Sequence, residues 1–158
     1  MRHIVILLMF VSFMLAGINE LLYIEAKLYP KIIKISRLQR RDKKIVIDLL
    51  YDKANFRVAK KMAEFLKKNG VVVLMDEIPN FSKADAYILV TRHISKKFKQ
   101  KLLKTKKLIF SAYPEMIKDS MISIYIGVKV KPVINLCLIK KASISLNPII
   151  LKVAKIYE

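Results

Sequence analysis

Cysteine, histidine, glycine and acidic residues are all scarce in this sequence of 158 residues, and tryptophan is absent. The single cysteine, Cys137, excludes an internal disulfide. With only two histidines, His3 and His93, a zinc site built from cysteine and histidine is excluded as well. The three glycines are too widely spaced for the glycine-rich loops that hold nucleotide phosphates. The sequence therefore predicts no metal and no cofactor.

The 12 acidic residues face 31 lysines and arginines, which gives a formal net charge of +19. Such a balance brings nucleic acid, anionic lipid and acidic proteins into consideration as partners. The lysines are spread along nearly every polar segment, however, so nucleic-acid binding is not predicted. The densest run, KKFKQKLLKTKK at 96–107, places Phe98, Leu102 and Leu103 at helical core spacing. We interpret its lysines as the solvated face of a helix rather than a polyanion site, because arginines and stacking aromatics are missing from that face.

The first residues have the shape of a signal peptide. Arg2 and His3 precede an apolar run from Ile4 to Ala16, which is shorter than the roughly 20 residues that a membrane-spanning helix needs. The sequence thus predicts a leader at 1–17 and a mature domain at 18–158 in the periplasm. If the leader is not cleaved, it tethers the domain to the inner membrane, and only then is membrane contact expected.

Apolar segments and helix signals alternate through the middle of the chain. An apolar helix is predicted at 21–36, where Pro30 is expected to kink or divide it. The segments KIVIDLLYD, VVVLM, AYILV and KLIFS are typical of strands, and VVVLM and AYILV lack polar residues, as strands buried on both faces do. Between them lie a helix with Asn55 as its N-cap and Gly70 as its stop, and a second helix capped by Ser95. We expect Val46, Val72, Ile88 and Ile109 in adjacent strands.

The last third of the chain follows another pattern. ISIYI and VKPVIN flank Gly127 like an antiparallel pair. A terminal helix is predicted from the N-cap Asn147 onward, with one apolar face formed by Ile149, Ile150, Val153, Ala154 and Tyr157. The predicted fold is a single three-layer α/β domain: a mainly parallel sheet flanked by helices, with an antiparallel C-terminal strand pair, Rossmann-like in outline but without a nucleotide motif.

Ligands of open α/β sheets bind at the carboxyl ends of the parallel strands. In this sequence those positions are occupied by Asp52, Asp76, Glu77, Arg92, His93 and Tyr113. A histidine near carboxylates could perform acid–base chemistry, but any such sheet ends in polar loops, so we do not predict an enzyme. Cys137 lies in the apolar run VINLCLI and is interpreted as a small buried hydrophobe rather than a nucleophile.

The segment ISIYIGVKVKPVINLCLIKKASISLNPIILKVAKIYE resembles the C-terminal signature of the YfiR/HmsC family of small periplasmic proteins. That signature has two strands, an Ile-Asn-Leu step, a short helix and a capped helix with an apolar core. The matching positions to which it assigns a structural role are Ile134, Asn135, Leu136, Leu151 and Ala154. We expect the amide of Asn135 to fix the turn between the last strand and the short helix. The order of the upstream segments is also similar.

The resemblance implies a non-enzymatic periplasmic regulator that binds the sensor region of an inner-membrane signalling protein such as a diguanylate cyclase. The alternative is a periplasmic solute-binding module related to half of a substrate-binding protein, and a homodimer is compatible with both. Family members often carry paired cysteines, so the single Cys137 leaves disulfide control without support here. The candidate partner surface is Tyr23, Leu28, Tyr29 and Ile32, although these residues could equally cover the sheet.

Overall fold

The computed structural model describes residues 2–36 and 43–157, with side chains from residue 17 onward. Its elements are α1 (Arg2–Ser36), β1 (Val46–Tyr51), a 3₁₀ turn (Lys53–Asn55), α2 (Phe56–Lys68), β2 (Val72–Glu77), β3 (Ala86–Val90), α3 (Lys96–Lys104), β4 (Leu108–Ser111), a second 3₁₀ turn (Pro114–Lys118), β5 (Ile122–Ile126), β6 (Val130–Asn135), α4 (Leu136–Lys141), α5 (Pro148–Val153) and β7 (Lys155–Tyr157). Within the part of the chain described, no helix is both long and apolar enough to cross a membrane.

The seven strands form one sheet in the order β2-β1-β3-β4-β5-β6-β7. The first five strands of this order run parallel, β6 is antiparallel to β5, and β7 is parallel to β6. Val46 pairs with Val72, and Ile88 and Ile109 lie in the next two strands. The predicted fold class, with its mainly parallel sheet and antiparallel C-terminal pair, is confirmed.

Helices cover both faces of the sheet. The Tyr29 ring of α1 lies 4.3 Å from the Phe110 ring, centroid to centroid. On α3, Phe98 packs edge-on against Phe81, which in turn packs against Tyr87 of β3. Because Phe110 pairs with Ile88, and Ile88 follows Tyr87 in an alternating strand, Phe110 and Tyr87 point to opposite faces. Helices α1 and α3 therefore lie on opposite sides of the sheet.

Helix α1 is longer than the sequence predicts, because it runs without interruption from the predicted leader to Ser36. Pro30 lies inside this helix, so the expectation that it divides the segment is wrong. Its ring is buried, and the buried neighbours Tyr29, Ile32 and Ile33 hold this stretch of the helix against the core. The leader itself stays a prediction.

Strand β2 differs from the expectation for VVVLM. The sequence predicts a strand buried on both faces, but every residue of β2 is at least partly exposed, with Val72 at 41%. The reason is its position at the edge of the sheet, where, among the residues that the structure describes, it pairs with β1 alone. By contrast, all five residues of β3, the AYILV segment, are buried as predicted.

The terminal helix is shorter than predicted. Asn147 caps α5 by accepting a hydrogen bond from the Ile149 N–H at 2.9 Å, but the helix ends at Val153. Ala154 is extended, and the chain continues as β7, which pairs with residues 133–135 of β6. Of the expected apolar face, Ile150 is buried, whereas Ile149 and Val153 are exposed. Pairing with the open edge of β6 supplies backbone hydrogen bonds that helical periodicity could not anticipate.

Asn135 connects β6 to α4. Its Oδ1 accepts a hydrogen bond from the Leu138 N–H at 3.1 Å, and its Nδ2 donates to the Ile117 carbonyl at 2.9 Å. The side chain is buried, so it serves as N-cap and as a tie to the second 3₁₀ turn at once. This is the structural role that the sequence predicts for the residue. Ile134 beside it is fully buried, and Leu136, Leu151 and Ala154 pack partly buried against the core.

Candidate functional site

The candidate site lies at the carboxyl edge of the sheet, between β1 and β3. These two strands are neighbours, but the chain leaves β1 toward β2 on one side and returns to β3 on the other. The connections therefore diverge at this point, and open α/β sheets bind ligands at such positions. Asp52 follows β1 there, and Thr91 and Arg92 follow β3.

Asp52 is the centre of a hydrogen-bond network. One carboxylate oxygen accepts from the Asn55 N–H at 2.9 Å and from Asn55 Nδ2 at 2.8 Å. The other accepts from Thr91 Oγ1 at 2.5 Å. Burial acts to raise the pKa of Asp52, but the hydrogen bonds from Thr91 and Asn55 outweigh it and hold the pKa below its usual value. Asp52 is therefore a fixed anion that joins the ends of two strands.

Arg92 and Tyr113 form the outer part of the site. The guanidinium carbon lies 4.3 Å from the centroid of the Tyr113 ring, a cation–π arrangement. The Arg92 side chain also pairs with Glu115, and both side chains are more than half exposed. The Tyr113 hydroxyl donates to Asn55 Oδ1, so its ring is fixed to the Asp52 network. Burial raises the pKa of Tyr113 above its usual value, against the opposing effect of Arg92.

This arrangement places an exposed guanidinium over the ring of Tyr113, whose hydroxyl is bonded to Asn55. A guanidinium presents paired N–H donors that match a carboxylate or a phosphate. The neutral tyrosine and the ionised Asp52 do not form a nucleophile–base pair, and His93 joins the network through its backbone, whose N–H and carbonyl both contact Thr91 Oγ1. The geometry is suited to binding an anionic group.

The sequence-predicted positions thus divide into two groups. Asp52, Arg92 and Tyr113 come together, and the backbone of His93 adjoins them. Asp76 instead acts on Asp48 in the middle of β1, and Glu77 is exposed at the outer edge of the sheet. Among the residues described, no group of three or more His, Cys, Asp or Glu side chains is placed to hold a metal ion.

Two residues of the site were not identified as such from the sequence. Asn55 is predicted as the side-chain cap of α2, but its side chain makes no capping hydrogen bond and bonds Asp52 and Tyr113 instead. Asn55 does occupy the N-cap position of α2, as predicted, but a 3₁₀ turn capped by Asp52 precedes the helix, and the Asn55 side chain joins the hydrogen bonds around Asp52. Thr91 follows the buried β3 directly, and a hydroxyl at a strand end was the available signal.

A carboxyl pair lies beside this site, on β1 and β2. Asp48 is fully buried, and its Oδ2 accepts a hydrogen bond from the Ser82 N–H at 3.0 Å. Burial, and then the neighbouring Asp76, raise the pKa of Asp48 to about 7. An aspartate in the middle of the apolar strand VIDLLY was the visible signal in the sequence.

Cys137 is exposed, so its interpretation as a buried residue is wrong. It is the second residue of α4, whose buried side is formed by Leu138 and Ile139. The thiol lines an open cleft of about 680 Å³ together with Lys118, Lys140 and Lys141. Lys99, at the same cleft, is neutralised by Asp119 at 2.7 Å.

No protein-family model matches the chain, and neither does any curated protein. Similar folds are found among solved structures. One is an ABC domain from Streptococcus pneumonia in complex with L-Trp, with a TM-score of 0.57, 16% identity and coverage of 80% of this chain and 61% of that one. Another is a conserved domain protein from Vibrio cholerae O1 biovar El Tor, with a TM-score of 0.55, 10% identity and coverage of 84% of this chain and 60% of that one. This chain thus spans about three fifths of the length of these α/β structures.

Proposed function

We propose that this domain binds a small solute with a carboxylate group, and that the solute binds at the carboxyl edge of the sheet against Arg92 and Tyr113. The observation that carries this proposal is the exposed Arg92 guanidinium, which is stacked on a ring that is itself held by Asn55. The likeness to an ABC domain solved with L-Trp supports amino acids as the first ligands to test.

In the structure the Glu115 carboxylate pairs with the Arg92 guanidinium, and a ligand carboxylate would replace it there. The exchange costs little, because exposed ion pairs contribute only about 0–1 kcal/mol. The rigid Asp52 network keeps Tyr113 in place during this exchange, so the site is largely preformed.

This proposal predicts opposite effects of two substitutions. Calorimetric titration and thermal shift with a panel of L-amino acids and small dicarboxylates should identify a ligand that raises Tm, since saturation at about 100 times Kd stabilises a fold by about 2.7 kcal/mol. Arg92→Gln should weaken that ligand at least tenfold. Glu115→Gln should strengthen it severalfold, because it frees the guanidinium.

The matched control is Arg57→Gln, which removes an exposed arginine from α2 and should leave binding unchanged. If no compound in the panel raises Tm, or if the Arg57 and Arg92 variants bind alike, the proposal is wrong.

A second proposal is the regulator that the C-terminal resemblance implies: an exported protein that binds the periplasmic sensor of an inner-membrane signalling protein. The exposed side chain that favours it is Tyr23, at 44% exposure on α1. Its ring meets Phe65 of α2 edge-on at 5.6 Å, and Lys27 lies over it. Tyr29 and Ile32, also named for this surface, are buried and Leu28 is partly buried, so the candidate surface is reduced to Tyr23 and its neighbours.

Affinity capture from solubilised membranes tests this second proposal. The wild-type domain should retain a membrane sensor at moderate salt. Tyr23→Glu should lose the sensor while its Tm falls only slightly, since the Tyr23 side chain is 44% exposed. Absence of the sensor from the wild-type capture, or its retention by Tyr23→Glu, would contradict the proposal.

A further inference from the structure

The last part of the described chain is free of acidic residues. Residues 120–157 contain neither aspartate nor glutamate. They form β5, β6, α4, α5 and β7, which make up one end of the sheet. The positive charges in this stretch are Lys129, Lys131, Lys140, Lys141, Lys152 and Lys155. Residues 120–157 therefore bring positive side chains and no carboxylate to this end of the sheet.

The β5–β6 hairpin carries exposed apolar side chains at its tip. Ile122, Ile124 and Ile134 lie on one face of the hairpin and are fully buried. Ile126 and Val130 form the next pair on the same face, but they are 46% and 43% exposed. Val128, in the turn between the strands, is fully exposed. The apolar row of the core thus continues beyond the edge of the domain into solvent.

The tip has a defined shape. A Cβ atom on Gly127 would lie 2.6 Å from Cε1 of Tyr125, so the tyrosine ring lies closely over the glycine. The Lys155 ammonium lies 5.1 Å from the same ring. Lys131 pairs with Tyr125 across the hairpin, and Lys129 lies in the turn. We call Tyr125, Ile126, Val128 and Val130, with Lys129, Lys131 and Lys155, the hairpin tip.

We propose that the hairpin tip docks on the surface of a bilayer that contains anionic lipids. Ile126, Val128 and Val130 enter the boundary between headgroups and acyl chains, and the three lysines contact the headgroup phosphates. Apolar side chains surrounded by cations are the composition that binds anionic membrane surfaces. Exposed apolar patches of this kind also mark protein interfaces. Charge complementarity favours lipid here, because the tip supplies three cations and no acid, and compact ammonium groups on flexible stems suit mobile headgroups.

Because the chain has no tryptophan, Val128→Trp provides a single fluorescent reporter at the tip. With vesicles of phosphatidylcholine and phosphatidylglycerol, its emission should shift to the blue and resist aqueous quenchers. Vesicles of phosphatidylcholine alone should leave the emission unchanged. A Lys60→Trp reporter on α2, exposed in the free protein, should show neither effect. Equal shifts at both positions, or none at position 128, would refute the docking geometry.

Sedimentation with the same vesicles measures the affinity of the full chain for the bilayer. Because every variant contains residues 2–16, any contribution of these residues is the same in all of them. Each lysine removed from the tip should lower the partition coefficient about fivefold, and binding should fall as salt rises. Lys129→Gln with Lys131→Gln is compared with Lys60→Gln and Lys67→Gln, which change the net charge equally from exposed positions on α2. Equal loss in the two pairs would mean attraction by net charge alone and overturn the assignment. If vesicles do not bind but a protein is captured in a Val128-dependent way, the tip is a protein interface and the lipid assignment is wrong.

Discussion

Raising the pH from about 5 to about 8 is expected to lower the free energy of unfolding by about 2–3 kcal/mol through Asp48 alone. Burial and the neighbouring Asp76 raise the pKa of this carboxyl to about 7. The folded state therefore keeps a proton that the unfolded chain releases above a pKa of about 4. Where the native state binds more protons, stability falls as pH rises, so the loss begins near the unfolded pKa and is complete just above the folded one.

Asp48→Asn should remove this dependence. Its amide oxygen can accept the hydrogen bond from the Ser82 N–H, as the carboxyl oxygen does, and the amide carries no charge beside Asp76 at any pH. We expect the stability of the variant to exceed that of the wild type by a margin that widens by about 2–3 kcal/mol between about pH 5 and about pH 8, with urea unfolding at a series of pH values as the measurement. Glu64→Gln, at an exposed position, is the control.

Glu25 also contributes a slope of the same sign, since burial raises its pKa well above the usual value. The difference between the wild type and Asp48→Asn therefore isolates Asp48. If the two curves run parallel between about pH 5 and about pH 8, the carboxyl of Asp48 is not the protonated group.

Local sequence patterns predicted which segments form strands and helices better than they predicted which strands lie side by side in the sheet. The apolar segment AYILV is buried on both faces because β1 and β4 flank it, whereas the equally apolar VVVLM lies at an edge. Hydrophobicity alone does not distinguish these positions, because strand order depends on the path of the whole chain. For the same reason the helical periodicity after Asn147 did not reveal β7, which exists only because β6 offers it an unpaired edge.

The location of the candidate site was predictable from the sequence, but the hydrogen bonds within it were not. The rule that strand ends meet at one edge of a parallel sheet brings Asp52 near Arg92 and Tyr113. It does not show that Asn55 and Thr91 complete the network, because a side chain that could cap a helix can as well bond to a residue from another strand. Asp76 was predicted at the same edge. It lies inside β2 instead, opposite Leu50 of β1, and its carboxylate acts on Asp48 of that neighbouring strand.

Helix α1 shows the same limit. Tyr23 and Tyr29 were both assigned to the candidate partner surface, but one is 44% exposed and the other fully buried. The Tyr29 hydroxyl donates to the Ser111 carbonyl at 2.6 Å and lies 3.1 Å from Glu25 Oε1. With its ring on Phe110, this one side chain connects the helix to the sheet through both packing and hydrogen bonding. Tyr29 is therefore a core residue, and a partner cannot reach it while the helix is docked.

Tyr29→Ala should accordingly destabilise the domain by about 3–5 kcal/mol, the range for removal of a large buried aromatic side chain. Tyr29→Phe keeps the ring but removes the donor to the Ser111 carbonyl and the hydrogen-bond partner of Glu25, so a loss of about 1–3 kcal/mol is expected. Tyr23→Ala, as the exposed counterpart on the same helix, should cost less than about 1 kcal/mol. Chemical denaturation of the three variants measures these differences. If Tyr29→Ala leaves stability unchanged while Tyr23→Ala lowers it, α1 is docked through its other face, because only then would the hydroxyl and ring of Tyr29 be free of the sheet.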